Sequence, residues 1–297
     1  MATCDRLEMP ASTVIRSTDV LAFGAAHWDT IARLSEATCA ASVPGHTARH
    51  AGGAAFNVCR HLASAGLGVT LAVPHDDVAI EKAALAANVT LVPLAATEPA
   101  APSYTTILDS SGDLVVACAD MRAYDTLPPS AVASTFATIV DPDAVLLDAN
   151  LPMPVLERIV DRFAGRAILA GLAVSPAKVG RFASVLGRLD VLFTSQAERE
   201  ALGELDEHDL PRALIVTNGS RPIEIVSANT MDLVPVMPVR PVDVTGAGDA
   251  LAGATLVHLL RGSDVTNAVR QACRVATHAV RHEGPFTPCP ALAGEPT

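Results

Sequence analysis

No segment of this chain concentrates lysine and arginine. Only two lysines, Lys82 and Lys178, occur in 297 residues, and 21 basic against 32 acidic side chains leave a formal net charge of −11. The electrostatic footprint that holds a nucleic-acid backbone or an anionic membrane is missing, so the expected partner is a small molecule. If that molecule carries phosphates, an acidic chain must hold them with backbone N–H groups, a few placed cations and a metal ion. No apolar run approaches the ~20 residues of a membrane span, and residues 1–17 lack the apolar segment of a secretion signal, which predicts a cytoplasmic protein. Cys4, Cys39, Cys59, Cys118, Cys273 and Cys289 form no CxxC, and the nine histidines form no HExxH. Reduced thiols, some of them core packing, are expected rather than a disulfide framework or a zinc centre. Also absent are GxxxxGK[ST], a GxGxxG after the first strand, and GxSxG. A P-loop kinase, an NAD-dependent dehydrogenase and an α/β-hydrolase are disfavoured accordingly.

Half of the residues are hydrophobic and 18% are charged, a composition that suits a globular α/β protein. Short apolar β-type runs at 20–25, 69–73, 89–94, 144–147, 167–172, 191–193 and 214–217 alternate with helical segments, including 54–65, 175–186, 196–202, 247–260 and 265–282. This is the pattern of a doubly wound, mostly parallel sheet with helices on both faces. Residues 29–50 are polar and turn-rich, and 102–118 read as a hairpin around Ser111-Gly112; both are expected to form a small β-sheet lid. One domain over residues 1–297 with this lid follows, ending in a loose tail after Gly284, Pro285, Pro288 and Pro290.

Two motifs carry chemistry. In PVDVTGAGDALAGATLVHLL, residues 241–260, β-branched residues favour extended chain, Gly246 and Gly248 permit a tight turn, and an apolar helix follows. This aims the N–H groups of Gly246, Ala247 and Gly248 at one point, where negative charge on a phosphoryl group is stabilised. Asp249 lies in the same first turn and can accept a proton from an attacking hydroxyl. In AGGAAFNVCRHLASAG, residues 51–66, Gly52 and Gly53 let a ligand approach the backbone, and Asn57 offers a donor and an acceptor to a sugar hydroxyl.

Together the motifs resemble the late D-T-x-G-A-G-D and early G-G-x-x-x-N signatures of the ribokinase-like (PfkB) carbohydrate kinase family, over roughly residues 18–284. The resemblance implies an ATP- and Mg2+-dependent kinase of the ribokinase-like fold, acting on a hydroxyl of a sugar or nucleoside. Asp249 would be the base and Gly246, Ala247 and Gly248 the anion hole. Asp29, Gly52, Gly53 and Asn57 would bind substrate, and Thr217 and Gly219 in VTNGS would form the nucleotide turn. Asp243 and Thr245 would flank a monovalent cation such as K+. The family's N-x-x-E magnesium motif is here Ser195-Gln196-Ala197-Glu198, which keeps the carboxylate of Glu198. Residues 102–127, DANLP (148–152) and AVSPAKV (173–179), especially Ala119-Asp120-Met121 followed by Tyr124, are similar to the pseudouridine kinase branch. Leu172-Ala173 stands where that branch carries D-P, and Pro222 replaces a glycine of the nucleotide turn. The resemblance therefore points to pseudouridine or a related ribose-containing compound, with ribose, a hexose or an ordinary nucleoside as alternatives. A non-catalytic sugar- or nucleoside-binding regulator is the alternative outside the enzymes. A homodimer through the lid is also expected.

Overall fold

The computed structural model describes residues 19–36, 42–96, 101–139 and 141–292. The readings on residues 1–17, on Cys4 and Cys39, and on positions 37–41 of the first lid segment lie outside them. The first half of the chain forms β1 (Val20–Phe23), β2 (His27–Leu34), β3 (Gly45–Gly52), α1 (Ala54–Ser64), β4 (Val69–Val73), α2 (Val78–Ala86), β5 (Val89–Pro93), β6 (Ser103–Leu108) and β7 (Leu114–Asp120). Then come α3 (Arg122–Asp125), α4 (Ala133–Thr138), β8 (Ala144–Asp148), α5 (Met153–Phe163), β9 (Ile168–Leu172), β10 (Val191–Ser195) and α6 (Gln196–Ala201). The chain continues through β11 (Ala213–Thr217), β12 (Ile223–Val226), β13 (Met231–Val234), α7 (Ala247–Leu260) and α8 (Val265–Ala279).

Nine strands form one sheet in the order β13-β12-β11-β10-β9-β8-β1-β4-β5. The seven from β11 to β5 run parallel, and β12 and β13 extend the edge antiparallel. Every residue of β1, β4 and β8 is buried, as strands covered on both faces require. In β1 the pleat sends Val20 and Ala22 into the core under α1, α2, α7 and α8, and Leu21 and Phe23 into the core under α5. The chain winds outward from β1 through β4 and β5, then resumes at β8 on the other side of β1. Strand order reverses at β1, so the carboxyl ends of β1, β4 and β8 border the crevice where such sheets bind ligands.

The lid is a separate sheet, β3-β2-β6-β7. It grows directly out of β1 through the three-residue loop Gly24–Ala26, and the Trp28 indole N–H ties its root to Asp77, the N-cap of α2, at 3.1 Å. Its edge strand β7 leaves Leu114, Val115 and Val116 exposed.

Three expectations need correction. The helix expected over 175–186 is two separate single turns of 3-10 helix, Val179–Phe182 and Leu186–Arg188. Gly180 and Gly187 disfavour an α-helix there, and the buried Val179, Phe182 and Val185 recur every third residue, the 3-10 period. The helix expected to reach His282 stops at Ala279. Nor is the segment after Gly284 loose: Phe286 packs 4.8 Å from His61, Cys289 and Leu292 are buried, and the Leu292 carbonyl accepts from Arg261 at 3.2 Å. The apolar side chains between its prolines find a surface on α1 and α7.

The segments DANLP and the run ending in Tyr124 converge on the Gly24–Ala26 loop. The Tyr124 hydroxyl donates to the Gly24 carbonyl (3.0 Å) and accepts from the Ala26 N–H (3.2 Å). Asp148, fully buried at the end of β8, accepts from the Ala25 N–H at 2.6 Å and the Asn150 N–H at 2.8 Å. Lys178, from AVSPAKV, donates to Asn150 Oδ1 at 2.6 Å. The Ala26 carbonyl meets His75 Nε2 at 2.8 Å, and the Ala25 carbonyl accepts from the Phe56 N–H at 3.1 Å. A buried loop is tolerable only with its polar groups so matched. Tyr124→Phe would strand a buried N–H and a buried carbonyl, and is expected to lower unfolding free energy by about 1–3 kcal/mol in urea titrations. An unchanged midpoint and slope would show that the loop does not depend on the hydroxyl.

Candidate active site

Helix α1 starts from Gly53, whose φ of 107° no side-chain-bearing residue adopts comfortably and whose missing Cβ leaves room for the Ala25 carbonyl. A Cβ on Gly52 would collide with the Asp29 carboxylate, so the glycine pair is what lets Asp29 lie against the backbone. Asp29 stands in register with His50 on β3, with His27 Nδ1 at 3.0 Å from one carboxylate oxygen and His50 Nε2 at 3.6 Å from the other. Helix α7 starts from Gly246 in the left-handed region (φ 76°), with the Pro285 carbonyl where a side chain would be. Asn57 and Asp249 meet across these two starts: Asn57 Nδ2 donates to Asp249 Oδ2 at 2.9 Å, while the buried Asn57 Oδ1 has no partner.

Burial pushes the Asp249 carboxyl up to about 7; the Asn57 hydrogen bond opposes this, and the charges of Asp148, Asp29 and Glu198 reinforce it. These residues therefore share one electrostatic site. Asp148 is raised too, chiefly by burial, against the hydrogen bonds it accepts from Ala25 and Asn150. Asp243 goes the other way: although burial raises it, N–H donors from Thr245 (2.8 Å) and Gly284 (3.0 Å) hold it below the usual carboxylate range.

At the start of α7 the Ala247 N–H turns back to the Val244 carbonyl at 3.2 Å, which corrects the expectation that it points outward. The N–H groups of Gly246, Gly248 and Asp249 make no protein hydrogen bond among the described residues. Beside them opens an apolar cavity of about 480 Å3 bounded by Thr217 and Gly219 at one end and Ala247 and Gly248 at the other, with Val236, Met237, Cys273 and Val280 among its walls. Thr217 and Gly219, the two residues expected to form a nucleotide turn, both line this cavity. Of the apolar walls, Val236, Met237, Cys273 and Val280 lie outside the motifs, whereas Pro241, Val244 and Leu251 belong to the late one.

Ser195 and Glu198 form a capping box: Glu198 Oε2 accepts from the Ser195 N–H at 2.6 Å, and Ser195 Oγ accepts from the Glu198 N–H at 3.4 Å. The substituted serine therefore has a local job, and half of the carboxylate is committed to it. Among the described residues no three His, Cys, Asp or Glu side chains gather as a metal-holding group. The pairs His46/His50 and His278/His282, four residues apart, gather no third ligand either. Among the described residues Glu198 Oε1 has no donor, a donor set that suits Mg2+ held mainly by phosphate and water.

A doubly wound sheet, a lid rooted at its switch point and a half-buried carboxylate between two glycine-started helices describe a closing small-molecule site. The chain belongs to the pfkB family of carbohydrate kinases, whose family model matches residues 17–292. A carbohydrate kinase from Agrobacterium tumefaciens is 32% identical, with a TM-score of 0.77 over 88% of this chain and 90% of that one. Ribokinase of Thermotoga maritima, 21% identical, shares the fold with a TM-score of 0.75 over 90% of this chain and 94% of its own. Among curated relatives, ribokinase of Bacillus subtilis is 39% identical over 70 residues; this chain spans only 24% of that relative's length, and the match covers 24% of this chain.

The two glycines of the late motif differ in what surrounds them. A Cβ at Gly246 meets the Pro285 backbone, whereas one at Gly248 meets open space. Gly246→Ala is expected to cost about 1–3 kcal/mol of stability. Gly248→Ala should leave stability within about 1 kcal/mol or raise it. Thermal and urea unfolding of both variants reads the contrast, and equal losses would contradict it.

Proposed function

We propose that the chain transfers the γ-phosphoryl group of ATP to a hydroxyl of a ribose-containing sugar or nucleoside, with Asp249 as the base. The observation that carries this reading is the placement of Asp249, with a pKa of about 7, between Asn57 and the free N–H groups that start α7. A base poised near the working pH combines a large ionised fraction with good proton affinity. The acceptor hydroxyl oxygen bonds to the γ-phosphorus as its proton passes to Asp249. The bond to the bridging oxygen breaks, and ADP leaves. The N–H groups of Gly246 and Gly248 face the charge on the transferring group, a service that costs no reorganisation because the turn is fixed. The adenosine part of ATP fits the apolar cavity from Thr217 and Gly219 to Gly248. Glu198 would hold Mg2+ through its free carboxylate oxygen and water, and the ion would supply charge neutralisation for the phosphates. A monovalent cation such as K+ beside Asp243 belongs to the same reading.

On the acceptor side, Asp29 offers two oxygens to vicinal hydroxyls, with Gly52, Gly53 and Asn57 around it. Similarity of Tyr124 and its neighbours to the pseudouridine kinase branch supports pseudouridine as the finer reading, but Tyr124 is buried and braces a loop instead of facing the cleft. Ribose-type recognition at Asp29 is therefore the better-supported level. ADP release with ribose, adenosine, pseudouridine and hexoses tests the reading, and binding without turnover by every member would overturn it.

Asp249→Asn is expected to reduce kcat by about 10²-fold or more with affinity nearly kept. In the native protein, turnover should rise as pH passes upward through about 7, because the base must be ionised. Stability runs the opposite way. The folded carboxyl is raised from 3.8 to about 7, so between those values the folded state holds a proton that the unfolded state has lost. Its contribution falls as pH climbs through that window. The Asn variant should lack this slope, and parallel pH profiles of unfolding for both proteins would contradict the assignment.

A ribose acceptor should outperform its 2-deoxy counterpart by about 10- to 100-fold in kcat/KM, since a missing hydroxyl leaves an Asp29 oxygen unpaired at about 1–3 kcal/mol. Asp29→Ala should flatten that ratio. An unchanged ratio in the variant would remove Asp29 from acceptor recognition.

A further inference from the structure

A second cavity, of about 420 Å3, lies between α1, α2, the end of β3 and the strap at Pro285-Phe286, and shares no lining residue with the nucleotide cavity. Its walls are mostly apolar: Phe56 and Phe286, with Ala83 and Ala86 from α2 and Ala87 just after it. No Asp or Glu lines it, and two cation-forming side chains, Arg60 and His50, do.

Arg60 is the unusual member. Its guanidinium lies over the ring of Phe286 at 4.0 Å and that of Phe56 at 5.5 Å, and it makes no hydrogen bond or ion pair among the described residues. Arg181, also half-buried, is by contrast paired with Asp125 at 2.7 Å and donates to the Asn150 carbonyl at 2.6 Å. Desolvation alone lowers the Arg60 pKa, to about 10, and no carboxylate offsets it. A chain with a net charge of −11 thus leaves this half-buried cation without an ion pair among the described residues. Five fixed donors against two aromatic faces suit a planar or tetrahedral oxyanion attached to an apolar body.

We propose that this cavity binds a small organic anion, with a carboxylate or phosphate on Arg60 and its apolar or aromatic part against Phe56, Phe286 and the α2 alanines. The proposal is independent of the kinase reading. Its occupant would border the cleft at two points, because His50 pairs with Asp29 and the Pro285 carbonyl abuts Gly246.

The test is titration calorimetry on the full chain with phenyl phosphate and with benzoate, benzyl alcohol serving as the neutral control. Each titration is run with and without a saturating non-hydrolysable ATP analogue. One site per chain is expected for at least one anion, retained in the presence of the analogue, with no heat from the alcohol. The stronger of the two anions identifies the head group. Arg60→Gln should weaken binding by about tenfold or more, the worth of a charge-assisted contact. Ala86→Glu, an exposed helix position on the rim, should do the same by supplying Arg60 with an internal carboxylate, and it decides the matter if Arg60→Gln does not fold. Absence of saturable binding by both anions, displacement by the analogue, or undiminished binding in the folded variants would overturn the proposal.

Discussion

The hydrogen bond from Asn57 to Asp249 joins residues 192 positions apart, and the cleft is organised around it. It forms only because α1 and α7 lie almost in backbone contact. A Cβ on Gly253 would come within 2.7 Å of His61 Cβ and 3.2 Å of the Val58 carbonyl, so α7 needs glycine at that point. The facing residues are small, with Ala55 and Cys59 on α1 and Ala250 and Ala254 on α7 buried in the same core. Close approach brings the two helix starts near enough for Asn57 and Asp249 to meet. The same closeness removes water from Asp249 and lifts its pKa. Geometry and proton affinity thus come from one packing constraint.

Acidic groups in and around this cleft are handled in three ways. Asp148 is spent on the loop Gly24–Ala26 and never leaves the core. Asp243 is held ionised by backbone N–H groups. Asp249 is left between these states, with one side-chain donor and three neighbouring charges that disfavour ionisation. An anionic ligand would meet an overall field that opposes it, and the N–H groups at the α7 start are the fixed dipoles that offset this locally.

Much of the fold was legible because its signals are local. Val69–Val73 and Ala247–Leu260 fall where their apolar patterns place them, since a buried parallel strand and a buried helix have little else to satisfy. Helix α5 went unassigned because Pro154 in its first turn masks a regular apolar stripe of Val155, Leu156, Ile159, Val160 and Phe163. The antiparallel strands β12 and β13 are four residues each, too short for periodicity to register. At the site, glycines followed by Asn57 in one case and Asp249 in the other mark the two helix starts. The capping box at Ser195, the inward turn of the Ala247 N–H and the apolar nucleotide walls depend on backbone direction and on distant segments. A hint was present in AVLLD, where an acid ends an otherwise apolar strand, but nothing local says that it holds a loop 123 residues earlier.

The strap after Gly284 gives the site a temporal order. Gly246 is seated against the Pro285 carbonyl, and Asp243 takes one of its two N–H donors from Gly284. During synthesis the sheet from β1 to β11 and the early glycine pair emerge first and can pack as they appear. The turn before α7 has no seat until some 40 further residues have been added, so the cleft is assembled last, by the segment that also covers α1. A ribosome-bound chain lacking that segment would present the start of α1 without a seated turn before α7, which separates completion of the scaffold from completion of the cleft.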